Sequence, residues 1–509
     1  MEKYKIVFIT FYDMICYGTR ILCSIAEKNG VESHLILLKK EVSYVPLIFG
    51  NKDKHATYQF YYNGLLRGSH YAVDPITKKE INILVETIKR INPSIICLST
   101  RSFAYEFAKK IFPKVKTYCP DIPIIAGGWG PSLEPERFLE FSDYVAFGEG
   151  EKTISYICNK LINKKEFYDA PNLLYYKRKR LVKNSVGLAL NEEEMNNCPF
   201  PNFDLKHKYL ITDNKLRYGQ EFYNEKVYDV FCARGCPLNC TYCLSGKYGL
   251  LYKLESGKTC SKYRLRDFDI VMKELHIAKL RGAKFIRFKD EVFPIKHDYI
   301  VKFIECYPKE IGLPFFAFLR PEFHSIDTIR KLKEAGLNVT MLGIQSGSDV
   351  IRRQIYNRKL PKTKVIKFAQ TLDKLDIQFS YHFIYRNPFE NEEHLSESLN
   401  FCFDLPYQNV FVFKLEVFQG SVLKKMIEQH KPTSLPIYIQ DWYAILHTMS
   451  LKGPWYRTLS KWIKRYGLFR RIPSIMSVFF IFPLLDEYYQ VLKNKFFLKA
   501  TLHFSPKNK

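Results

Sequence analysis

Strands alternate with helices through most of this chain, and that order constrains the fold more than any other feature. Lys5–Thr10 reads as a buried strand, Tyr17–Lys28 as a helix ending at Gly30, and Glu32–Leu38 as a second strand. Helix Glu80–Ile91, strand Ser94–Ser99, helix Tyr105–Thr117, strands Pro123–Ala126 and Tyr144–Phe147, and a helix from Glu151 to Lys160 follow. This pattern predicts an α/β fold, a doubly wound, Rossmann-like parallel sheet with helices on both faces. Its glycine-rich turns, Gly127-Gly128 and Gly148-Glu149-Gly150, fall just after strands, where such sheets bind ligands. Residues 161–225 are polar, interrupted by Pro171, Pro199 and Pro201, and read as an extended linker with a small hairpin around Leu173–Leu188. From Val227 the alternation resumes for about six strand–helix units, enough for a partial, TIM-like (β/α) barrel. The expected domains are therefore 1–160, a linker at 161–225, a barrel at 226–420 and a helical region at 421–509.

At 47% hydrophobic, the 509 residues can bury several cores, which excludes wholesale disorder. The net charge of +26 has two readings: a lysine-rich surface, or an acidic partner. Residues 452–509 carry 12 Lys/Arg against 2 acids. Within them the apolar stretch Ile475–Leu485 is too short to span a bilayer. Flanked by Lys461, Lys464, Arg465, Arg470 and Arg471, it suits either an anionic membrane surface or a cap helix on the barrel. No nucleic-acid module is recognisable, so no nucleic acid is expected. The start of the chain lacks the pattern of a signal peptide, so the expected location is the cytoplasm, with peripheral contact at the inner face of the membrane as the variant.

Thirteen cysteines in such a chain do not suggest a disulfide framework. Most, such as Cys97 and Cys402, sit in apolar runs and read as core residues. Cys236, Cys240 and Cys243 differ. They follow strand Val227–Cys232 in one loop, with spacings that let three thiolates converge on cluster iron. Three ligands leave one iron of a cubane open. Structural zinc is the competing reading, but zinc takes four closed ligands in paired short spacings. No second such pair follows, and Cys232, Cys260 and His276 are only loose candidates for a fourth ligand.

The CxxxCxxC loop, with Tyr242 before its last cysteine and Arg234-Gly235 ahead of it, resembles the radical S-adenosylmethionine (SAM) superfamily. The resemblance implies a [4Fe–4S] cluster on Cys236, Cys240 and Cys243. SAM would chelate the open iron, and its cleavage would give methionine and a 5′-deoxyadenosyl radical that takes hydrogen from an unactivated carbon. An external donor such as flavodoxin or ferredoxin would supply the electron. Tyr242 is carried over as a SAM contact. Phe288-Lys289-Asp290-Glu291-Val292-Phe293 is similar to the family's Asp-Asp-x-Phe turn, which gives Asp290 and Glu291 as acceptors for the SAM ammonium group. Leu319-Arg320-Pro321 resembles the third-strand arginine and gives Arg320 as partner of the SAM carboxylate. Gly343-Ile344-Gln345-Ser346-Gly347 resembles Gly-Ile-Glu-Ser-Gly, so Gln345, with Ser346 beside it, would meet the ribose. Taken alone, each of these pieces also reads as a plain loop. Gly420-Ser421 resembles the Gly-Thr after the sixth strand. The fifth-strand region departs: Arg386-Asn387-Pro388-Phe389-Glu390 stands where the family reads Gly-x-Pro-Gly-Glu.

Residues 1–160 resemble the cobalamin-binding domain that precedes the barrel in one branch of that superfamily. The matching pieces are Ser99-Thr100, Ala126-Gly127-Gly128-Trp129-Gly130-Pro131-Ser132 and Val145-Ala146-Phe147-Gly148-Glu149-Gly150-Glu151. They give Ser99, Thr100, Gly127, Gly128, Trp129, Gly148, Glu149 and Gly150 as cobalamin contacts. The Asp-x-His-x-x-Gly motif of many cobalamin domains is absent: Asp13 and Gly18 have no histidine between them, and His34 and His55 read as a strand and a surface residue. The alternative is a vestigial domain that keeps the fold without the cofactor. Together the resemblances imply cobalamin-dependent methylation of an unactivated carbon on a small-molecule or lipid-like substrate. Two other outcomes stay open: radical cyclisation or oxidation, as in the oxygen-independent protoporphyrin-ester cyclase, and a non-catalytic metal-binding or redox-sensing protein.

Overall fold

The computed structural model describes residues 4–467, apart from stretches within 40–74, 220–225 and 246–260 and positions 14, 102, 103 and 188. The chain forms two compact units. The first comprises Met1–Ser43, Val73–Asn224 and Tyr248–Ser261, and the second comprises Tyr44–Ala72, Glu225–Lys247 and Lys262–Lys509.

The strands of the first unit are β1 (Lys5–Phe11), β2 (Glu32–Leu38), β3 (Ile95–Ser99), β4 (Ile124–Gly127), β5 (Tyr144–Ala146), β6 (Leu173–Lys177), β7 (Arg180–Lys183), β8 (Lys208–Thr212) and β9 (Lys215–Tyr218). They make one sheet in the order β7-β6-β5-β4-β3-β1-β2-β8-β9. From β5 to β8 every pairing is parallel, and the two outer hairpins are antiparallel. β1 is buried at six of its seven positions, as a central strand covered on both faces must be. Helices Tyr17–Lys28 and Glu151–Ile162 cover one face, and Lys78–Ile91 and Tyr105–Tyr118 the other. Helix Lys78–Ile91 starts where Thr77 and Glu80 form a reciprocal capping box, and it lays Ile81, Leu84, Val85, Ile88 and Ile91 on the sheet. Each such side chain contributes about 1.5–3 kcal/mol of burial.

The stretch 161–225, expected to be an extended linker, is instead built into this unit. The hairpin closes over Leu173–Lys183 and pairs with β5, and β8 pairs with β2 at the far side of the sheet. The expected hairpin is present, but its pairing with β5 and the strand β8 depend on distant neighbours that the local pattern of prolines and charges does not reveal.

The second unit holds six parallel strands in sequential order: β10 (Val227–Val230), β13 (Phe285–Phe288), β14 (Phe315–Ala317), β15 (Leu337–Gln345), β16 (Gln378–Tyr385) and β17 (Asn409–Lys414). This is the expected partial barrel. The short pair β11 (Ala233–Gly235) and β12 (Tyr263–Leu265) stands apart from it. Short strands at Gln59–Tyr61, Gly68–Ala72 and Ser43–Pro46 extend the sheet beyond β17, an addition the sequence reading did not foresee. One face of the strands, with Phe288 and Phe315, packs on Phe303 and Tyr307 of helix His297–Glu310. The opposite face carries Arg287 paired with Phe316 and, further along, Gly343 paired with His382 and His382 with Phe411.

Helices Val422–His430, Ile437–Ser450 and Pro454–Tyr466 follow. Ile437–Ser450 is buried over most of its length between helix Glu392–Phe403 and Pro454–Tyr466. The apolar stretch Ile475–Leu485 lies outside the described residues. Among the described residues no helix is long and apolar enough to cross a membrane.

Candidate active site

In the second unit the cysteine loop leaves β10 through β11. Gly235 has φ +87°, and a Cβ there would lie 2.0 Å from the Lys262 carbonyl oxygen, so only glycine allows β11 to pair with β12. The loop is then held by backbone groups. The Thr241 hydroxyl donates to the Ile355 carbonyl at 2.5 Å and the Asn357 amide to the Asn239 carbonyl at 3.1 Å. The Leu423 N–H donates to the Thr241 carbonyl at 3.0 Å.

Cys236 and Cys240 are buried and Cys243 is partly exposed. The three thiols lie close together: beyond burial, Cys240 and Cys243 both raise the pKa of Cys236, and Cys243 raises that of Cys240. Burial above all pushes Cys236 up to about 11, with Cys243 and Cys240 adding to it and Arg320 opposing. Burial raises Cys240 as well, and Arg358 works against the rise. Such thiols become thiolates only with a cation beside them, as on a metal centre. Cys232 does not join them. It is fully buried near Tyr299 and Asp290, and burial raises its pKa. His276 lies elsewhere, 3.0 Å from Glu310, and Cys260 is outside the described residues.

Around the thiols the structure sorts the expected SAM residues. The Tyr242 ring meets Tyr356 edge-on at 4.9 Å, and Tyr242 lies near enough to Cys240 to lower its pKa against the effect of burial. Arg320 has no ion pair among the described residues, and its buried Nε has no hydrogen-bond partner. Gly343 makes room for it, since a Cβ there would stand 2.4 Å from Arg320 Nη1 and 2.6 Å from Gln345 Nε2. Gln345 sits at φ +72° beside a register shift in β15, which turns its amide toward Arg320. Asp290 is buried. One oxygen accepts the Ala233 N–H at 2.5 Å, while Oδ2 has no partner. Burial raises its pKa to about 8, and Glu291 contributes. Burial raises the pKa of Glu291, opposed by Arg234, Ser245 and Arg264 nearby. Ser346 turns inward, its hydroxyl 3.2 Å from Glu390 and 3.3 Å from Ser398.

Residues without a sequence signal complete the surroundings. Arg358 lies beside Cys240, held by Glu322 and by the Gly343 carbonyl at 2.6 Å. His382, whose pKa burial and Arg320 together lower to about 3, meets Phe411 and Phe413 at 5.2 and 5.0 Å. No local motif marks either residue. Their roles depend on strand register.

In the first unit the expected cobalamin residues gather at the carboxyl ends of adjacent strands β3, β4 and β5. Ser99 ends β3, and the Thr100 N–H donates to Gly127 at 3.0 Å. Gly128, at φ +100°, approaches the Thr100 carbonyl so closely that a Cβ would lie 2.6 Å from the oxygen. Trp129 opens the short helix that follows, and Gly150 precedes helix Glu151–Ile162. The Glu149 carboxylate accepts the Leu190 N–H at 2.7 Å. Tyr252, which sequence reasoning missed, is fully buried here. Its hydroxyl accepts the Glu149 N–H at 2.7 Å and fills the space beside Gly148, where a Cβ would stand 2.1 Å away. β1 and β3 are neighbours although helices on opposite faces follow them, so the crevice at their carboxyl ends is the topological switch point where such sheets bind ligands.

Comparison with known proteins agrees with both units. The radical SAM superfamily matches residues 230–402, and the B12 binding domain matches residues 64–157. An uncharacterized methyltransferase of Pyrococcus horikoshii is 25% identical over 325 residues, covering 63% of this chain and 66% of that protein. The bacteriochlorophyllide d C-8(2)-methyltransferase of Chlorobaculum tepidum is 20% identical over 365 residues, or 68% and 69% of the two chains. Among solved structures, the radical SAM methyltransferase TsrM of Kitasatospora setae superposes with a TM-score of 0.58 at 14% identity, covering 83% of this chain and 76% of that one. The cobalamin-dependent radical enzyme OxsB gives 0.57 at 16%, covering 86% and 58%. The structural likenesses establish the fold. The chain carries a radical SAM domain and a B12-binding domain, the domain pair of the cobalamin-dependent radical SAM enzymes that it resembles.

Proposed function

We propose that this chain is a methyltransferase that adds a methyl group to an unactivated carbon of a small molecule. The observation that carries the reading is the convergence of Cys236, Cys240 and Cys243 in a loop from which Cys232 is turned away, beside an Arg320 whose Nε lacks a partner. Three thiols suit a cubane with one open iron, and the unpaired guanidinium suits a carboxylate such as that of SAM. When bound, the cluster with SAM supplies a 5′-deoxyadenosyl radical, and cobalamin supplies the methyl group.

The residues of the chain have distinct tasks in this reading. Cys236, Cys240 and Cys243 hold the cluster. Arg320 orients the SAM carboxylate, and the partnerless Asp290 Oδ2 takes the ammonium group with Glu291 nearby. Tyr242 and Gln345 shape the sides of the nucleoside site, while Ser346 supports it through Glu390. The glycines at 127, 128 and 148, with Ser99, Thr100, Trp129, Glu149 and Gly150, form the floor for cobalamin. Those loops contain no histidine to serve as a lower ligand, so cobalamin would bind without one from them. Phe316, Phe318, Phe411 and Phe413, with Lys289 over the Phe318 ring at 5.8 Å, favour a planar, partly apolar substrate with an anionic group. Trp455, Trp462 and Tyr466, each more than half exposed on a basic helix, support peripheral contact with an anionic membrane.

The test is cobalamin content after anaerobic purification from cobalamin-fed cells, followed by product analysis with isotopically labelled SAM. Near one cobalamin per chain and a gain of one methyl are expected. An intact cluster without cobalamin would sink methyl transfer and leave hydrogen-abstraction chemistry such as cyclisation or oxidation. A loaded, reducible cluster that never cleaves SAM would point to a sensor.

A further inference from the structure

A second cluster of ligating side chains lies at the amino-terminal edge of the first unit's sheet, the end opposite the glycine loops. Glu32 and His34 are alternate residues of β2 and share one of its faces. His207 immediately precedes β8, and its carbonyl accepts the Leu35 N–H at 2.9 Å, which clamps it beside them. Glu32 Oε1 lies 2.7 Å from His34 Nε2, and Glu32 Oε2 lies 3.8 Å from His207 Nε2. The imidazole rings are 4.4 Å apart. One ligand atom from each of the three residues falls within 4.8 Å of the other two.

A proton shared between Glu32 and His34 would explain that pair alone. It does not explain His207, whose nitrogen is too far from the carboxylate for a hydrogen bond. Yet His207 is held in this cluster at φ +57°, a left-handed backbone unfavourable for a non-glycine residue. The His34 ring is also fixed from behind, with Nδ1 3.1 Å from the Tyr209 hydroxyl, so that Nε2 faces the other two ligands. An outer partner on the second ring nitrogen is the usual accompaniment of a metal-bound histidine.

We propose that Glu32, His34 and His207 bind a divalent transition ion, zinc by preference, with water as the fourth ligand. Two imidazole nitrogens and one carboxylate suit zinc at tetrahedral geometry. His34 is buried, while the side chains of Glu32 and His207 remain 27% and 29% exposed, so ion and water can enter from solvent. The role follows from topology. After β7 the chain crosses from one edge of the sheet to the other before pairing with β2 as β8. An ion shared by β2 and the residue before β8 would fasten that return and stabilise the folded unit by mass action.

The test uses the full chain with Cys236→Ser, Cys240→Ser and Cys243→Ser, which removes the competing thiols. Zinc alone is titrated against a chromophoric chelator. One equivalent is expected to weaken at least roughly tenfold on adding His207→Gln, with X-ray absorption showing nitrogen and oxygen but no sulfur neighbours for that equivalent. Melting temperatures with and without His207→Gln should coincide in chelator and separate in zinc. Zinc binding unaltered by His207→Gln, or no bound zinc, would overturn the proposal. A melting difference that persists unchanged in chelator would do the same, because it would assign His207 to packing.

Discussion

Arg386 grips Asp441 through Nη2, which lies 3.1 and 3.2 Å from the two carboxylate oxygens, and the Tyr385 hydroxyl donates to the same carboxylate at 2.8 Å. Arg386 occupies φ +60°, at the position where the resembled family has its first glycine. A backbone conformation that ordinarily calls for glycine is thus held by an ion pair to helix Ile437–Ser450. The cost of the arginine is offset by a helix that follows the barrel. Replacing Asp441 with alanine removes the carboxylate that accepts from both the Arg386 guanidinium and the Tyr385 hydroxyl, and should destabilise the second unit by about 3 kcal/mol. Arg386→Gly together with Asp441→Ala should recover part of that loss. Denaturant unfolding of the two variants and their parent measures the difference.

Iron retention separates the cysteines. Serine at 236, 240 or 243 should each abolish the iron–sulfur absorption after anaerobic reconstitution. Cys232→Ala should retain it, because that thiol faces Tyr299. Loss of iron in Cys232→Ala would refute the assignment.

Gly235→Ala should be as damaging to the cluster as loss of a cysteine, although residue 235 carries no ligand. Its Cβ would stand 2.0 Å from a backbone oxygen at a positive φ, so β11 and β12 must separate. Iron content of the purified variant, with circular dichroism to confirm folding, checks this.

In the first unit, Tyr252→Phe removes the hydroxyl that accepts the partly buried Glu149 N–H. A loss of about 0.5–1.5 kcal/mol follows. Thermal unfolding, with cobalamin affinity as the second readout, tests whether the tyrosine supports the Gly148 loop.

Glu390 makes stability depend on pH. Burial raises its pKa to about 8, against an ordinary value of 4.5, with the Ser346 hydroxyl opposing. Between those values the unfolded chain releases this proton and the folded chain keeps it. The contribution is therefore complete below about pH 4.5, falls by at most about 1.4 kcal/mol per pH unit as pH rises, and is lost above about 8. Glu390→Gln should flatten that slope and gain on the parent toward pH 8. Parallel slopes for the two proteins would show that the carboxyl is ionised in the folded state.

The strand–helix order, the glycine turns and the Cys236–Cys243 spacing were legible because each is local. Hydrophobic period, turn chemistry and ligand spacing are written in consecutive residues. Arg320 and Gln345 likewise stand in short local motifs, and the structure brings both beside Gly343. Within 161–225 the hairpin around Leu173–Leu188 was legible too, but β8 was not, because it is a strand only by virtue of β2, to which it pairs across the sheet. His34, read as a strand residue, is one, but its neighbour His207 is 173 positions away in sequence and adjacent only through the pairing of β8 with β2. The same holds for Arg358 beside Cys240, Tyr252 beside Gly148 and Asp441 beneath Arg386. The sequence by itself determined which elements form and where the cluster loop lies. Tertiary structure decided which side chains share a space, since sheet order and burial depend on pairings between distant segments that no local pattern encodes.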